Sequence, residues 1–210
     1  MGKIEITKKV LGICATNCYT VVDTETKEAL IIDPADRADV LIRDWKDKGV
    51  TPQAVLLTHG HFDHIGALAG VKKEYPDIKV YAAAEEKEVM ESPALNLSSS
   101  FGAAFTAQAD IYLEDGAEIE VLGRTCKCLL VPGHTKGGMC YYFPEEKVAF
   151  TGDTLFCYSV GRTDFPTGDA RALEEAIREK LFTLPDETLV LPGHDAQTMI
   201  GKEKKGNPYF

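Results

Sequence analysis

The chain has five histidines, and three of them crowd into one run, His59-Gly60-His61-Phe62-Asp63-His64. The other two, His134 and His194, each follow a Pro-Gly pair, and Asp153 follows Thr151-Gly152. A fold that serves this pattern must gather points spread over most of the chain. Imidazole suits zinc, iron, copper and nickel, while carboxylates add charge and can bridge two ions. His134, Asp153 and His194 each end an apolar run that reads as a strand, and sheet strands end along a common edge. Three such ends and one loop supply seven ligand side chains: His59, His61, Asp63, His64, His134, Asp153 and His194. His59 and His61, two apart in a loop, can share one ion. Asp63 and His64, where a helix starts, turn toward a second. A lone histidine is more often structural than a ligand, and Asp153 alone is as well explained as a turn cap. No histidine is left over for such a role, so the pattern reads as a site for two divalent ions bridged by Asp153.

The 210 residues fit one domain over 1–210, with an ordinary globular composition of 44% hydrophobic and 27% charged residues. The net charge of −10 argues against nucleic acid as a partner, because phosphate binding draws on clustered Lys and Arg. The one basic cluster, Lys202 to Lys205, reads as a solvated tail. The start, Met1-Gly2-Lys3-Ile4-Glu5-Ile6, has no apolar secretory stretch, and no apolar run reaches the ~20 residues of a membrane helix. We therefore expect a cytoplasmic protein with no membrane partner, a monomer or small homo-oligomer. The six cysteines form no CxxC pair and fit a reducing compartment; Cys126 and Cys128 alternate along a strand and share its buried face.

Hydrophobic patterning predicts strands at 3–9, 18–23, 29–33, 54–58, 79–82, 118–122, 125–131, 138–143, 147–151 and 188–191. It predicts helices at 36–48, from His64 to Tyr75, at 84–90, and at 169–181 with Asp169 as N-cap. Gly123-Arg124 reads as a tight turn. The aperiodic stretch 91–108, rich in Ser, Ala and Phe, reads as a loop or lid near the site.

The run Thr58-His59-Gly60-His61-Phe62-Asp63-His64-Ile65-Gly66, with His134, Asp153 and His194, resembles the metallo-β-lactamase superfamily over essentially the whole chain. The resemblance implies an α/β fold, a four-layer αββα sandwich with the metals at one edge between two sheets. It implies one metal site of His59, His61 and His134 and another of Asp63, His64 and His194, with Asp153 shared. Within the superfamily the chain is most similar to compact bacterial glyoxalase II-like hydrolases. The β-lactamases proper place Cys or Ser where Asp153 stands, which disfavours lactam hydrolysis. Full-length glyoxalase II holds its glutathione thioester with a Lys and a Tyr in the loop after the bridging Asp; here Arg162 keeps the cation and Asp164 replaces the Tyr.

The resemblance thus implies a dinuclear hydrolase of a small acyl thioester or related ester. Asp63 and Asp153 would act at the reaction centre and Arg162 on an anionic substrate group, unless Arg162 merely pairs with Asp164. Zinc is the expected ion, with iron and manganese open to the same donors. The alternative is a persulfide dioxygenase, which shares the Gly-Arg-Thr-Asp-Phe string and uses one iron; its triad would be His59, His134 and Asp153. A non-catalytic metal-binding module, a nuclease and a flavodiiron-type oxygen reductase rank below both.

Overall fold

The computed structural model describes residues 2–210. One six-stranded sheet is built in the order β1 (Ile4–Leu11), β2 (Thr16–Asp23), β3 (Glu28–Ile32), β4 (Thr51–Leu56), β5 (Lys79–Ala83) and β6 (Ile111–Leu113). In the second, β7 (Glu118–Val121), β8 (Arg124–Leu130), β9 (Met139–Phe143) and β10 (Val148–Gly152) lie side by side. That sheet continues, after the small hairpin β11 (Leu155–Phe156) and β12 (Ser159–Val160), through β13 (Leu189–Pro192) and β14 (Thr198–Met199). β3, β4, β5 and β6 pair in parallel, as do β10 and β13.

Three apolar layers follow from period-2 alternation. In β3, Leu30 and Ile32 face the second sheet and meet Tyr141, Phe150 and both Cys126 and Cys128. Ala29 and Ile31 face outward and meet helices α1 (Ala38–Asp47), α2 (Phe62–Ile65) and α3 (Leu68–Glu74) through Leu41, Trp45, Ile65 and Val71. On the far side, Cys140 and Val190 pack on α5 (Ala170–Ala176, continuing as a wider turn Ile177–Leu181) and on α6 (Ile200–Gly206), while α4 (Lys87–Glu91) joins the first helical layer through Met90. This is the expected αββα sandwich. Trp45 is fully buried in the outer layer, and its indole N–H donates to Thr20 Oγ1 at 3.1 Å.

The expected helix from His64 to Tyr75 is two short helices. Between them the Ala67 N–H donates to the Pro34 carbonyl at 2.9 Å, and Gly66 sits against the Ala35 carbonyl, where a Cβ would come within 2.5 Å. The backbone thus bonds to the β3–α1 loop in place of extending the helical ladder. The tight turn falls on Leu122-Gly123, both left-handed, and Arg124 opens β8 instead. There Arg124 is buried against Asp23, Glu146 and the Gly2 carbonyl, tying the two sheets together. The lysine run is a helix and not a tail, with Lys202 and Lys205 exposed. It lies in α6, where Lys204 pairs with Asp186 at 2.7 Å and Glu203 is buried, accepting from the Tyr158 N–H and Asn207 Nδ2. Asp169 caps α5 as expected, accepting from the N–H groups of Arg171 and Ala172.

Candidate metal centre

Parallel strands deliver their C-terminal ends to one edge, and that edge carries every residue of the expected set. β4 leads into the His59–His64 run, β8 is followed by His134, β10 ends before Asp153, and β13 ends before His194. The approach is close. Gly152 is left-handed, and a Cβ there would meet Thr58 Oγ1 at 2.3 Å. At Gly193 a Cβ would meet Asp153 Oδ1 at 2.3 Å and the His64 ring at 2.6 Å. The glycines before the two ligand positions are therefore what lets the strands converge.

Two sets of donors result. His59 Nε2, His61 Nδ1 and His134 Nε2 face one another, with His61 Nδ1 3.1 Å from the first and 3.0 Å from the last. Asp63, His64 and His194 form the second set, with His194 Nε2 3.4 Å from Asp63 Oδ2. Asp153 lies between them: Oδ2 is 3.6 Å from His134 Nε2 and 3.3 Å from His194 Nε2, and Oδ1 is 3.3 Å from His64 Nε2. His64 Nε2 and Asp153 Oδ1 are buried without a hydrogen-bond partner. Inward-facing imidazole nitrogens and orphaned carboxylate oxygen are the chemistry of a donor set for cations, so these residues fit two metal ions.

The outer nitrogens are held, which turns the inner ones inward. His64 Nδ1–H donates to Asp33 Oδ2 at 2.9 Å, and His134 Nδ1–H donates to the Arg162 carbonyl at 2.7 Å. Thr58 Oγ1 donates to Asp33 at 2.6 Å and so accepts from His59 Nδ1 at 3.2 Å. Asp33 thereby orients one histidine of each set. No motif in the sequence marks it. Its only signal was a carboxylate ending the apolar run Ala29–Ile32, followed by Pro34. Thr16 Oγ1 on the β1–β2 hairpin donates to Asp63 Oδ2 at 2.7 Å.

Electrostatics separate the two sets. Burial, then the neighbouring imidazoles, hold His59 well below its ordinary range; burial and the His134 charge bring His61 down to about 3; burial also lowers His134. Burial opposes charge on His64 and His194 as well, but Asp63 and Asp153 outweigh it, raising His64 well above and His194 to about 9. Against the cost of burial, the charge on His64 and a hydrogen bond from His194 bring Asp63 to about 2 and Asp153 well below the carboxylate range. The metal-free chain keeps its carboxylates ionised and balances them with protons that cations would displace.

A second unforeseen carboxylate holds the loops. Glu86 is fully buried and accepts from the Gly60 N–H at 2.8 Å, from Thr135 Oγ1 at 2.9 Å and from the Gly137 N–H. It joins the His59–His61 loop to the His134 loop. Burial raises its carboxyl from 4.5 to about 7. A folded value above the unfolded one means that stability is full below 4.5 and is lost as pH rises through about 7. The size is on the order of 3 kcal/mol, from roughly 1.4 kcal/mol per unit. We expect the stability of metal-free Glu86→Gln, relative to metal-free wild type, to improve by about that much between pH 4.5 and 8. Urea denaturation at several pH values measures it, and a difference that stays flat would show that Glu86 does not titrate in this window.

Arg162 lies on the rim, 58% exposed, forked onto Asp164 by two bonds of 2.7 Å and stacked 3.9 Å over the Phe165 ring. Phe165 in turn lies 5.7 Å from the His61 ring, and Phe156 lies 6.2 Å from the His194 ring.

The model of the metallo-beta-lactamase superfamily matches residues 11–194. A probable metallo-hydrolase of Bacillus subtilis, YqgX, is 38% identical over 95% of this chain and 94% of its own length. The Haemophilus influenzae hydroxyacylglutathione hydrolase GloC is 36% identical over 92% of each. Among solved structures, the BLEG-1 B3 metallo-beta-lactamase superposes with a TM-score of 0.92 at 39% identity, over 98% of this chain and 99% of that one. The di-iron-bound form of TTHA1623 gives 0.85 at 35%, over 97% and 100%. ETHE1 from Myxococcus xanthus gives 0.81 at 31%, over 97% and 83%. Fold, donor set and these likenesses agree: the chain belongs to the metallo-beta-lactamase superfamily of metal-dependent hydrolases.

Proposed function

We propose that the chain, as one domain over 1–210, hydrolyses small acyl thioesters with two divalent ions. The observation that carries this reading is the place of Asp153, whose two oxygens face histidines of both sets. His59, His61 and His134 would hold one ion, Asp63, His64 and His194 the other, and Asp153 both. Ions bound there would bring the pKa of a water to about 7 and polarise the scissile carbonyl. Asp63, held by Thr16, is proposed to orient the attacking water. No histidine outside the cluster remains to protonate a leaving group. A thiolate, whose conjugate acid has a pKa of roughly 8.5, departs without one. Arg162 is proposed to meet an anionic group on the thiol carrier by exchanging Asp164 for it.

The likeness to GloC supports the thioester class. Zinc is the ion proposed; the TTHA1623 form, named as di-iron, supports iron. Among the described residues no helix is long and apolar enough to cross a membrane. The unpaired cysteines support a reducing, cytoplasmic setting. The ETHE1 likeness supports the second reading, a persulfide dioxygenase on one iron held by His59, His134 and Asp153.

The test is anaerobic purification and metal quantitation, then assays on S-D-lactoylglutathione, on glutathione persulfide with oxygen uptake recorded, and on a β-lactam because of the BLEG-1 likeness. The expected result is close to two ions per chain and thioester hydrolysis without oxygen uptake. One ion under metal excess, with oxygen consumed on the persulfide, would move the chain to the second reading. Turnover of the β-lactam alone would move it to a lactamase.

A further inference from the structure

A cavity of about 270 Å³ opens beside Asp63, and Arg162 is not part of its lining. One wall is the β1–β2 hairpin, with Ile13 77% exposed at its tip. The other is the 98–105 part of the aperiodic stretch, with Phe101 51% exposed and Phe105 behind it. The floor is Phe62, whose ring stacks on Phe101 at 4.6 Å and 18°.

Both walls are tied to the metal-binding run. On the hairpin side Thr16 donates to Asp63. Opposite, the Phe62 N–H donates to the Asn96 carbonyl at 2.8 Å, and Asn96 Nδ2 donates to the Phe105 carbonyl at 2.9 Å. Ser98 closes the same loop, its Oγ donating to the Phe105 carbonyl and accepting the Phe105 N–H, both at 3.1 Å. The cavity is therefore built in advance of any ligand, and its distance from the donor set is fixed. Its charged lining consists of Asp36 and Asp63, with no Lys or Arg. Nothing there can pair with a substrate carboxylate, and Asp36 repels one.

We propose that this cavity is the acyl-side subsite and selects thioesters whose acyl substituent is apolar and uncharged, such as an arylalkyl or branched alkyl group. The proposal rests on the thioester reading above. In that reaction the carbon–sulfur bond breaks, the sulfur leaves with the electron pair, and hydroxide oxygen bonds to the acyl carbon. The departing thiolate carries negative charge, which the Asp36 wall disfavours. The acyl substituent stays uncharged throughout, and the aromatic floor and walls match it. An added apolar group in such a pocket changes specificity by roughly tenfold or more.

The test compares acetyl and phenylacetyl thioesters of one neutral thiol, N-acetylcysteamine. Alongside, acetohydroxamate and phenylacetohydroxamate binding to the zinc-loaded protein is measured by calorimetry, which needs no turnover. The expected result is a preference for the phenylacetyl member of each pair by about tenfold or more. The single variants Ile13→Asp and Phe101→Asp change exposed side chains and should abolish that preference while the acetyl compounds still bind. Equal affinity for the two hydroxamates, or a preference that survives both variants, overturns the subsite whatever the thioester assay gives. Hydroxamate discrimination with no thioester turned over leaves the subsite standing and overturns the thioester reading instead.

Discussion

Asp153→Ala is expected to lose both ions and to lower kcat by a factor on the order of 10³, about 4 kcal/mol in activation free energy. The cause is geometric. One carboxylate reaches His134 and His194 through Oδ2 and His64 through Oδ1, so its removal strips charge and a donor from both sets together. Metal counting by plasma emission, beside steady-state rates, reads the two losses. Asp153→Asn keeps the shape without the charge and should behave much like the alanine variant. Two retained ions and a wild-type rate in either variant would show that Asp153 does not bridge.

Asp33→Ala should produce the next largest effect, because it acts on both sets without belonging to either. Its carboxylate accepts from His64 Nδ1, from Thr58 Oγ1 and from the Thr58 N–H, and Thr58 passes the restraint to His59. Partners of this kind typically carry about 10–100-fold in metal affinity. Leaving the Thr58 N–H buried without an acceptor should also cost about 1–3 kcal/mol of stability. A chelator-competition titration measures the first quantity and urea denaturation the second. Lower stability with unchanged metal affinity would make Asp33 a scaffold residue and nothing more.

The donor set was legible in the sequence because three members crowd with Asp63 into the 59–64 run after a strand, His134, Asp153 and His194 each follow a strand run and a glycine, and strand ends share an edge. The layers were legible only through the family resemblance; that Ala29 and Ile31 face one apolar surrounding and Leu30 and Ile32 the other is seen in the structure. Asp33 was not legible: an Asp before Pro34 at a strand end reads as turn chemistry, and its partners lie more than twenty residues away. Glu86 sits in Glu85-Glu86-Lys87-Glu88, which reads as a solvated helix face until the tertiary fold closes over it. The same holds for Glu203, hidden in a lysine-rich run and buried only by its bonds to Tyr158, Thr198 and Asn207. The strands β11, β12 and β14 have two residues each, too few to alternate.

Trp45 is the sole tryptophan of the chain, and it lies sealed in the outer layer with its N–H held by Thr20. Its hydrogen bond goes to Thr20 and to none of the donor residues. The indole is thus expected to report on the sandwich itself more than on the strand-end edge. Stripping the ions with a chelator should leave its emission blue and unshifted, whereas opening of the outer layer should redden it. One optical signal therefore separates an emptied protein from an unfolded one.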